Sequence, residues 1–184
     1  MNILVLVTNR LILRPWREDD AYALFAVAKS PNVGPMCGWN PHKDIEESRQ
    51  IIKDVLMVPE CYAICLKEID VPIGCITLKL KQDSQILEGP DEGEIGFWLG
   101  EDFWGQGIIP EAANELIKHA FKDLNLKKIK CAYFEGNEKS KRVQEKIGFK
   151  YIRKGDYECK QLDRIIPSVF QELTLEEWNK KHKV

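Results

Sequence analysis

Two glycines one residue apart, Gly105 and Gly107, stand just before Pro110 in the stretch DFWGQGIIPEAANELIKHAF, residues 102–121. Glycine accepts positive backbone angles that turn successive N–H groups to one side, and a helix start adds unpaired amides and the positive end of a dipole. The combination suits an anion such as a pyrophosphate, and its plain alternative is a tight turn with no ligand. Two familiar phosphate patterns do not fit. GxGxxG requires a glycine where this chain has Pro110, and the P-loop requires Gly-Lys followed by Ser or Thr.

The loop needs a strand before it and a helix after it, and the hydrophobic pattern supplies both. EIGFWL, residues 94–99, reads as a strand, and Ala112, Ala113, Leu116, Ile117, Ala120, Phe121 and Leu124 fall on one face of a helix over about 110–124. Upstream, RLILRPW over 10–16 ends a first strand. Ala21, Leu24, Phe25 and Ala28 then keep helical spacing, with Asp19 or Asp20 near the helix start. A Gly-, Pro- and Asn-rich loop follows, then a second helix over about 44–57 and two strands, CYAICLKEI and VPIGCITLKLK, consistent with an antiparallel pair. KKIKCAYF is a strand and EGNEKSKRVQEKIGF a loop, short helix and turn; strands over 150–160 and 164–174 and a short LEEW end complete the chain. The order is β-α-α-β-β-β-α-β-α-β-β, a mixed sheet with helices against its faces.

Composition narrows the function class. The chain has 184 residues, 44% of them hydrophobic, enough for one domain with a sizeable core. Its 27 basic and 29 acidic residues leave a formal charge of -2, which argues against a protein whose main task is neutralising nucleic-acid phosphates. No apolar run reaches the roughly 20 residues of a membrane span, and the N-terminus lacks the pattern of a secretory leader, so the expectation is a cytoplasmic protein that does not bind membranes. The six cysteines are scattered through apolar surroundings without CxxC pairs, which favours free buried thiols over disulfides or zinc, and no metal is assigned.

The segment Trp104 to Ala112, WGQGIIPEA, resembles the acetyl-CoA-binding motif of the GNAT superfamily of N-acetyltransferases. TNRLILRPWREDDA at 8–21, GWNPH at 38–42, EIGFWL at 94–99 and NEKSKRVQEKIGF at 137–149 resemble, in the same order, its RimJ/RimL-like branch of ribosomal-protein-alanine N-acetyltransferases. The likeness spans about residues 8–175. It departs from the family pattern at Asp102, where Gln or Arg is usual, and at Gln144, where many relatives carry a Tyr used as general acid.

The resemblance implies an α+β, GNAT acyl-CoA N-acyltransferase fold in one domain over 1–184. Its central sheet would be twisted, mostly antiparallel, flanked by helices and splayed between the fourth and fifth strands. It implies acetyl-CoA as co-substrate, with the pantetheine arm on the strand edge at Phe97, Trp98 and Leu99. The pyrophosphate would lie on the amides of Trp104, Gly105, Gln106, Gly107, Ile108 and Ile109, because Pro110 has no N–H to give. Asn137 would touch the pantetheine or adenine side, and Lys141 or Arg142 the 3'-phosphate. An amine attacks a thioester only when uncharged, so a base, an oxyanion donor and a group beside the departing sulfur are required. By resemblance these are Glu94, the amide of Leu99 and Ser140. Trp39 and His42 lie on the loop where that branch builds its acceptor groove. The implied partner is an amine, either a peptide N-terminus or a small molecule, with no nucleic acid, and the chain would be a monomer or homodimer. The rival reading is a non-catalytic acyl-CoA-binding or regulatory module on the same fold.

Overall fold

The computed structural model describes residues 4–183. Its strands are β1 (Leu6–Val7), β2 (Leu11–Pro15), β3 (Cys61–Leu66), β4 (Pro72–Lys79), β5 (Glu92–Leu99), β6 (Lys128–Phe134), β7 (Lys150–Cys159) and β8 (Arg164–Thr174). The α-helices are α1 (Ala21–Ala28), α2 (Ile45–Ile51), α3 (Ile108–Lys122), α4 (Glu138–Ile147) and α5 (Leu175–His182). The strands are ordered β1-β2-β3-β4-β5-β6-β8-β7. The registers of β1 with β2, β2 with β3, β3 with β4, β6 with β8 and β7 with β8 are antiparallel, and that of β5 with β6 is parallel. This is the expected mixed, mostly antiparallel α+β sheet.

The chain divides into two compact units. One runs to Thr77 and resumes over Phe97–Glu115; the other takes Leu78–Gly96 and the chain from Leu116 onward.

In the first unit, α1 and α2 cover β3 and β4. Their apolar faces meet in a core of Trp16, Ala21, Leu24, Ala28, Ile52, Leu56, Ala63, Cys65 and Cys75, with Trp39 and Trp98 packed against it. Burying the larger aliphatic side chains among them, Leu24, Ile52 and Leu56, stabilises the unit by about 1.5–3 kcal/mol each. Beyond Ile51 the second helix continues as a π-helical turn over Ile52–Leu56, so the single helix expected over 44–57 holds in extent and differs in winding. Asp20 does not cap α1 with its side chain. Its Oδ2 accepts from the backbone amide of Arg17 at 2.8 Å, closing the 3-10 turn over Glu18–Asp20, and both its oxygens hold the buried guanidinium of Arg14 at 2.8 Å.

In the second unit, the paired part of β5 lies beside β6, then β8 and β7. β5 pairs with β6 through Glu92, Gly93 and Glu94, opposite Lys128, Ile129 and Lys130. Past that point the thiol of Cys131 donates to the carbonyl of Ile95 at 3.2 Å, a side chain replacing the backbone ladder. The strands therefore part between β5 and β6 in the present numbering, because the two-residue β1 raises the count by one. The LEEW end is a full helix, α5, closed by a capping box in which Thr174 and Glu177 satisfy each other's backbone amides.

Candidate active site

The chain leaves β5 at Leu99 through a tight passage. A Cβ on Gly74 would stand 2.6 Å from the carbonyl oxygen of Trp98 and 2.8 Å from the Leu99 side chain, so only glycine lets these backbones approach. A single 3-10 turn over Glu101–Phe103 follows, and the indole of Trp104 turns back to donate to the carbonyl of Leu99 at 2.8 Å. Gly105 and Gly107 then take φ of +75° and +73°, angles that L side chains rarely adopt. No atom lies within 4 Å of a Cβ built on Gly105, and only an Arg10 nitrogen, at 3.8 Å, approaches one on Gly107.

Helix α3 begins at Ile108, two residues earlier than the pattern predicted, and the amide of Glu111 makes the first intrahelical bond, to the carbonyl of Gly107. Pro110 thus sits where an amide would be unpaired anyway, and it costs the helix nothing. Among the described residues, the amides of Gly105, Gln106, Gly107, Ile108 and Ile109 have no acceptor. Five N–H groups at a helix start, over open space, form the cradle a diphosphate requires, so the residues present fit a CoA pyrophosphate.

Side chains lock this loop from outside. Glu111 accepts from the hydroxyl of Thr8 at 2.6 Å, from the backbone amide of Arg10 at 2.8 Å and from Nε of Arg10 at 2.7 Å. Burial pushes its carboxyl upward in pKa, but those donors together outweigh burial and hold it below the usual range. Nη1 of Arg10 donates to the carbonyl of Gln106, and the Gln106 side-chain Nε2 donates to the carbonyl of Asp102. Asp102 therefore serves the loop through its backbone.

Trp39 joins the same region. Its ring lies 5.8 Å from that of Trp98, edge to face, and 5.3 Å from the His42 ring, while Trp98 lies 5.9 Å from Trp16. Phe97 and Trp98 are half-buried and Leu99 is buried. His42 is anchored by its Nδ1, 2.8 Å from the buried hydroxyl of Ser48. Burial lowers its pKa against the opposing pull of Glu47, so the imidazole is neutral at neutral pH.

The remaining predicted residues belong to the second unit. Glu94 is 6% exposed, which removes the reading of a solvated strand-end acid. Its Oε2 accepts from the hydroxyl of Ser84 at 2.6 Å, and its Oε1 lies 3.9 Å from the ammonium of Lys79. Asn137 caps α4, its Oδ1 accepting from the amide of Ser140 at 3.1 Å. The Ser140 hydroxyl receives Nε2 of the buried Gln144 at 3.1 Å. Lys141 is 3.7 Å from Glu138 one turn back, and Arg142 is exposed. Among the described residues no group of three His, Cys, Asp or Glu side chains could hold a metal ion.

Arg10, Ser84 and Lys79 had not been singled out from the sequence. Arg10 lies inside the TNRLILR stretch and gave a signal only as part of that motif. Ser84 and Lys79 carry no local pattern, because their partner is reached only once the chain has folded.

The model of the Acetyltransferase (GNAT) domain matches residues 10–150. A Bacillus licheniformis protein named uncharacterized N-acetyltransferase p20 is 30% identical over 149 residues, 78% of this chain and 81% of that one. A GNAT-family acetyltransferase structure from Bacillus anthracis superposes with a TM-score of 0.79 at 20% identity, covering 95% of this chain and all 100% of that one. The ribosomal-protein-S5-alanine acetyltransferase of Vibrio fischeri gives a TM-score of 0.70 at 20% identity, covering 95% and 98%. With the glycine loop, the parting of β5 from β6 and a family match over most of its length, this chain belongs to the GNAT family of acetyltransferases.

Proposed function

We propose that the chain is one N-acetyltransferase domain that moves the acetyl group of acetyl-CoA to a primary amine by direct attack in a ternary complex. The observation that carries this reading is the set of unpartnered amides from Gly105 to Ile109, fixed in place by two positive-φ glycines at the start of α3. Acetyl-CoA supplies the activated thioester. The free edge at Phe97, Trp98 and Leu99 receives the pantetheine arm, and the amide of Leu99 is the oxyanion donor.

In the reaction the amine nitrogen forms a C–N bond to the acetyl carbonyl carbon, the C–S bond breaks, and one proton leaves the nitrogen. Glu94 is the proposed acceptor of that proton. It is buried, with Ser84 fixing one oxygen, so its orientation is set before substrate arrives. Ser140 is the proposed donor to the departing sulfur, because Gln144 fills an acceptor site on its oxygen and leaves its own proton to give. Asn137 and Lys141 complete the cofactor contacts of this unit.

Trp39, packed edge to face against Trp98 beside the strand edge, and His42 line the acceptor side. The acceptor class that fits the motif set is a protein N-terminus of the ribosomal type, and the S5-alanine name of the Vibrio fischeri neighbour points the same way. A small amine is the other acceptor of this class. No helix among the described residues is long and apolar enough to cross a membrane.

The test is thiol release from acetyl-CoA with N-terminal peptides, beginning with alanine and serine, and with a panel of polyamines and amino sugars. Turnover on a peptide with acetylation of its α-amine supports the reading. CoA binding with no turnover on any acceptor, and no change on Glu94→Gln, returns the chain to a binding module.

A further inference from the structure

The proposed diphosphate site is short of positive charge within its own segment. From Glu101 to Ile117 the chain holds four carboxylates, Glu101, Asp102, Glu111 and Glu115, and no Lys or Arg. Amides and a helix dipole contribute only partial charge, equivalent to about half a unit at the helix start. A diphosphate on this loop needs a cation from elsewhere in the chain, and the fold brings one.

That cation is Arg10. Its guanidinium is held on two sides, with Nε on Oε2 of Glu111 at 2.7 Å and Nη1 on the carbonyl of Gln106 at 3.1 Å. A guanidinium has five N–H donors. Two are used, which leaves three, and Nη2 has no acceptor among the described residues. Nη2 stands 3.8 Å from the Cβ position of Gly107, at the open face of the cradle. The side chain is 44% exposed, so a ligand can reach it. Glu111 offsets part of the charge, but it engages only Nε of the side chain, and the Nη2 donors stay available to a ligand.

We infer that Arg10 is a ligand of the cofactor diphosphate, adding charge-assisted N–H donors to the amide cradle while Glu111 holds the guanidinium in place. The inference rests on the transferase reading above and adds a binding residue almost a hundred positions upstream of the loop. Arginine suits the task because its planar fork gives parallel N–H groups to two phosphate oxygens while the rest of the group stays pinned.

The test compares Arg10→Met and Arg10→Lys with the wild type in three measurements: CoA affinity by calorimetry at low and high salt, steady-state kinetics with acetyl-CoA, and steady-state kinetics with S-acetyl-pantetheine. The last compound ends before the diphosphate. Arg10→Met should weaken CoA binding about 10- to 100-fold and raise KM for acetyl-CoA in step, with kcat at saturation within about twofold. Its kcat/KM for S-acetyl-pantetheine should stay within about twofold, and its CoA affinity should depend less on salt. Arg10→Lys, which keeps the charge and loses the fork, should recover part of the affinity, and it carries the test if the methionine variant does not fold. Unchanged CoA affinity in Arg10→Met, or an equal loss with S-acetyl-pantetheine, would overturn the inference and leave Arg10 a structural clamp. A wild-type chain that binds no CoA would overturn the transferase reading and this inference with it.

Discussion

The side-chain amide of Gln144 donates to the hydroxyl of Ser140 at 3.1 Å and to the carbonyl of Ala132 at 3.2 Å. The amide orientation follows from chemistry, because only a nitrogen can sit opposite the Ala132 carbonyl. Gln144 cannot give up a proton itself. It sets the direction of a hydroxyl that can hydrogen-bond a leaving sulfur.

Ser140→Ala should therefore lower kcat by about 10- to 100-fold with KM for acetyl-CoA little changed. Gln144→Leu, which only releases the hydroxyl, should cost about 3- to 10-fold. Both losses should shrink with an aryl thioester, whose thiolate departs without help. Equal losses on both thioesters would place the effect in folding rather than at the sulfur.

Glu94→Gln keeps the shape and removes the proposed base. We expect kcat to fall by about 100-fold or more with the KM for acetyl-CoA unchanged, measured by thiol release. Ser84→Ala, which frees one carboxylate oxygen, should give a smaller loss in the same direction, since the carboxylate remains. If His42 were the base instead, His42→Asn would show the larger loss, but its Nδ1 is already engaged with Ser48.

Much of the fold is written in local pattern, and the exceptions share a cause. Helices α1 and α3 and strands β3 to β6 are legible because their apolar residues repeat at helical or strand spacing. The π-helical turn at Ile52–Leu56 is not, because its buried residues, Ile52 and Leu56, keep the four-residue spacing an ordinary α-helix would also show. Helix α5 has only eight residues and one buried anchor, Trp178, so its period is too short to read. At the site, Gly105 and Gly107 announce themselves because L side chains rarely take their angles. Glu94 is visible as a residue but not as an environment, since Ser84 and Lys79 reach it only after β4, β5 and their connection have folded. Arg10 is hidden for the same reason. Its meaning depends on Glu111, which is 101 positions away.

Gly107→Val is expected to abolish CoA binding without unfolding the chain. A β-branched residue at φ of +73° costs on the order of 1–3 kcal/mol and is relieved by rotating the loop, which breaks the alignment of its amides. A Cβ there meets only the Arg10 guanidinium at 3.8 Å, so the loss is one of backbone geometry rather than packing. Calorimetry with CoA and thermal unfolding separate the two, and unchanged affinity would refute the role of the loop.

The Arg14 cluster governs stability in the first unit. Arg14 is 3% exposed, pairs with both oxygens of Asp20 at 2.8 Å and with Asp70 at 2.7 Å, and its pKa is raised, first by the bond to Asp20. Arg14→Met leaves Asp20 buried without its cation, so it should destabilise the protein by about 3–5 kcal/mol in urea unfolding. The pH dependence follows from Asp70, whose carboxyl is held below its ordinary value, first by the bond to Arg14. A carboxylate with a depressed folded pKa contributes its stability above the unfolded value of about 3.9 and loses it as pH falls through the lower, folded value. Asp70→Asn should thus flatten the acid limb of the stability curve and leave the slope above pH of about 6 unchanged. A variant that keeps the wild-type acid limb would show that Asp70, whose side chain is 45% exposed, is screened by solvent and that Arg14 holds the unit through Asp20 alone.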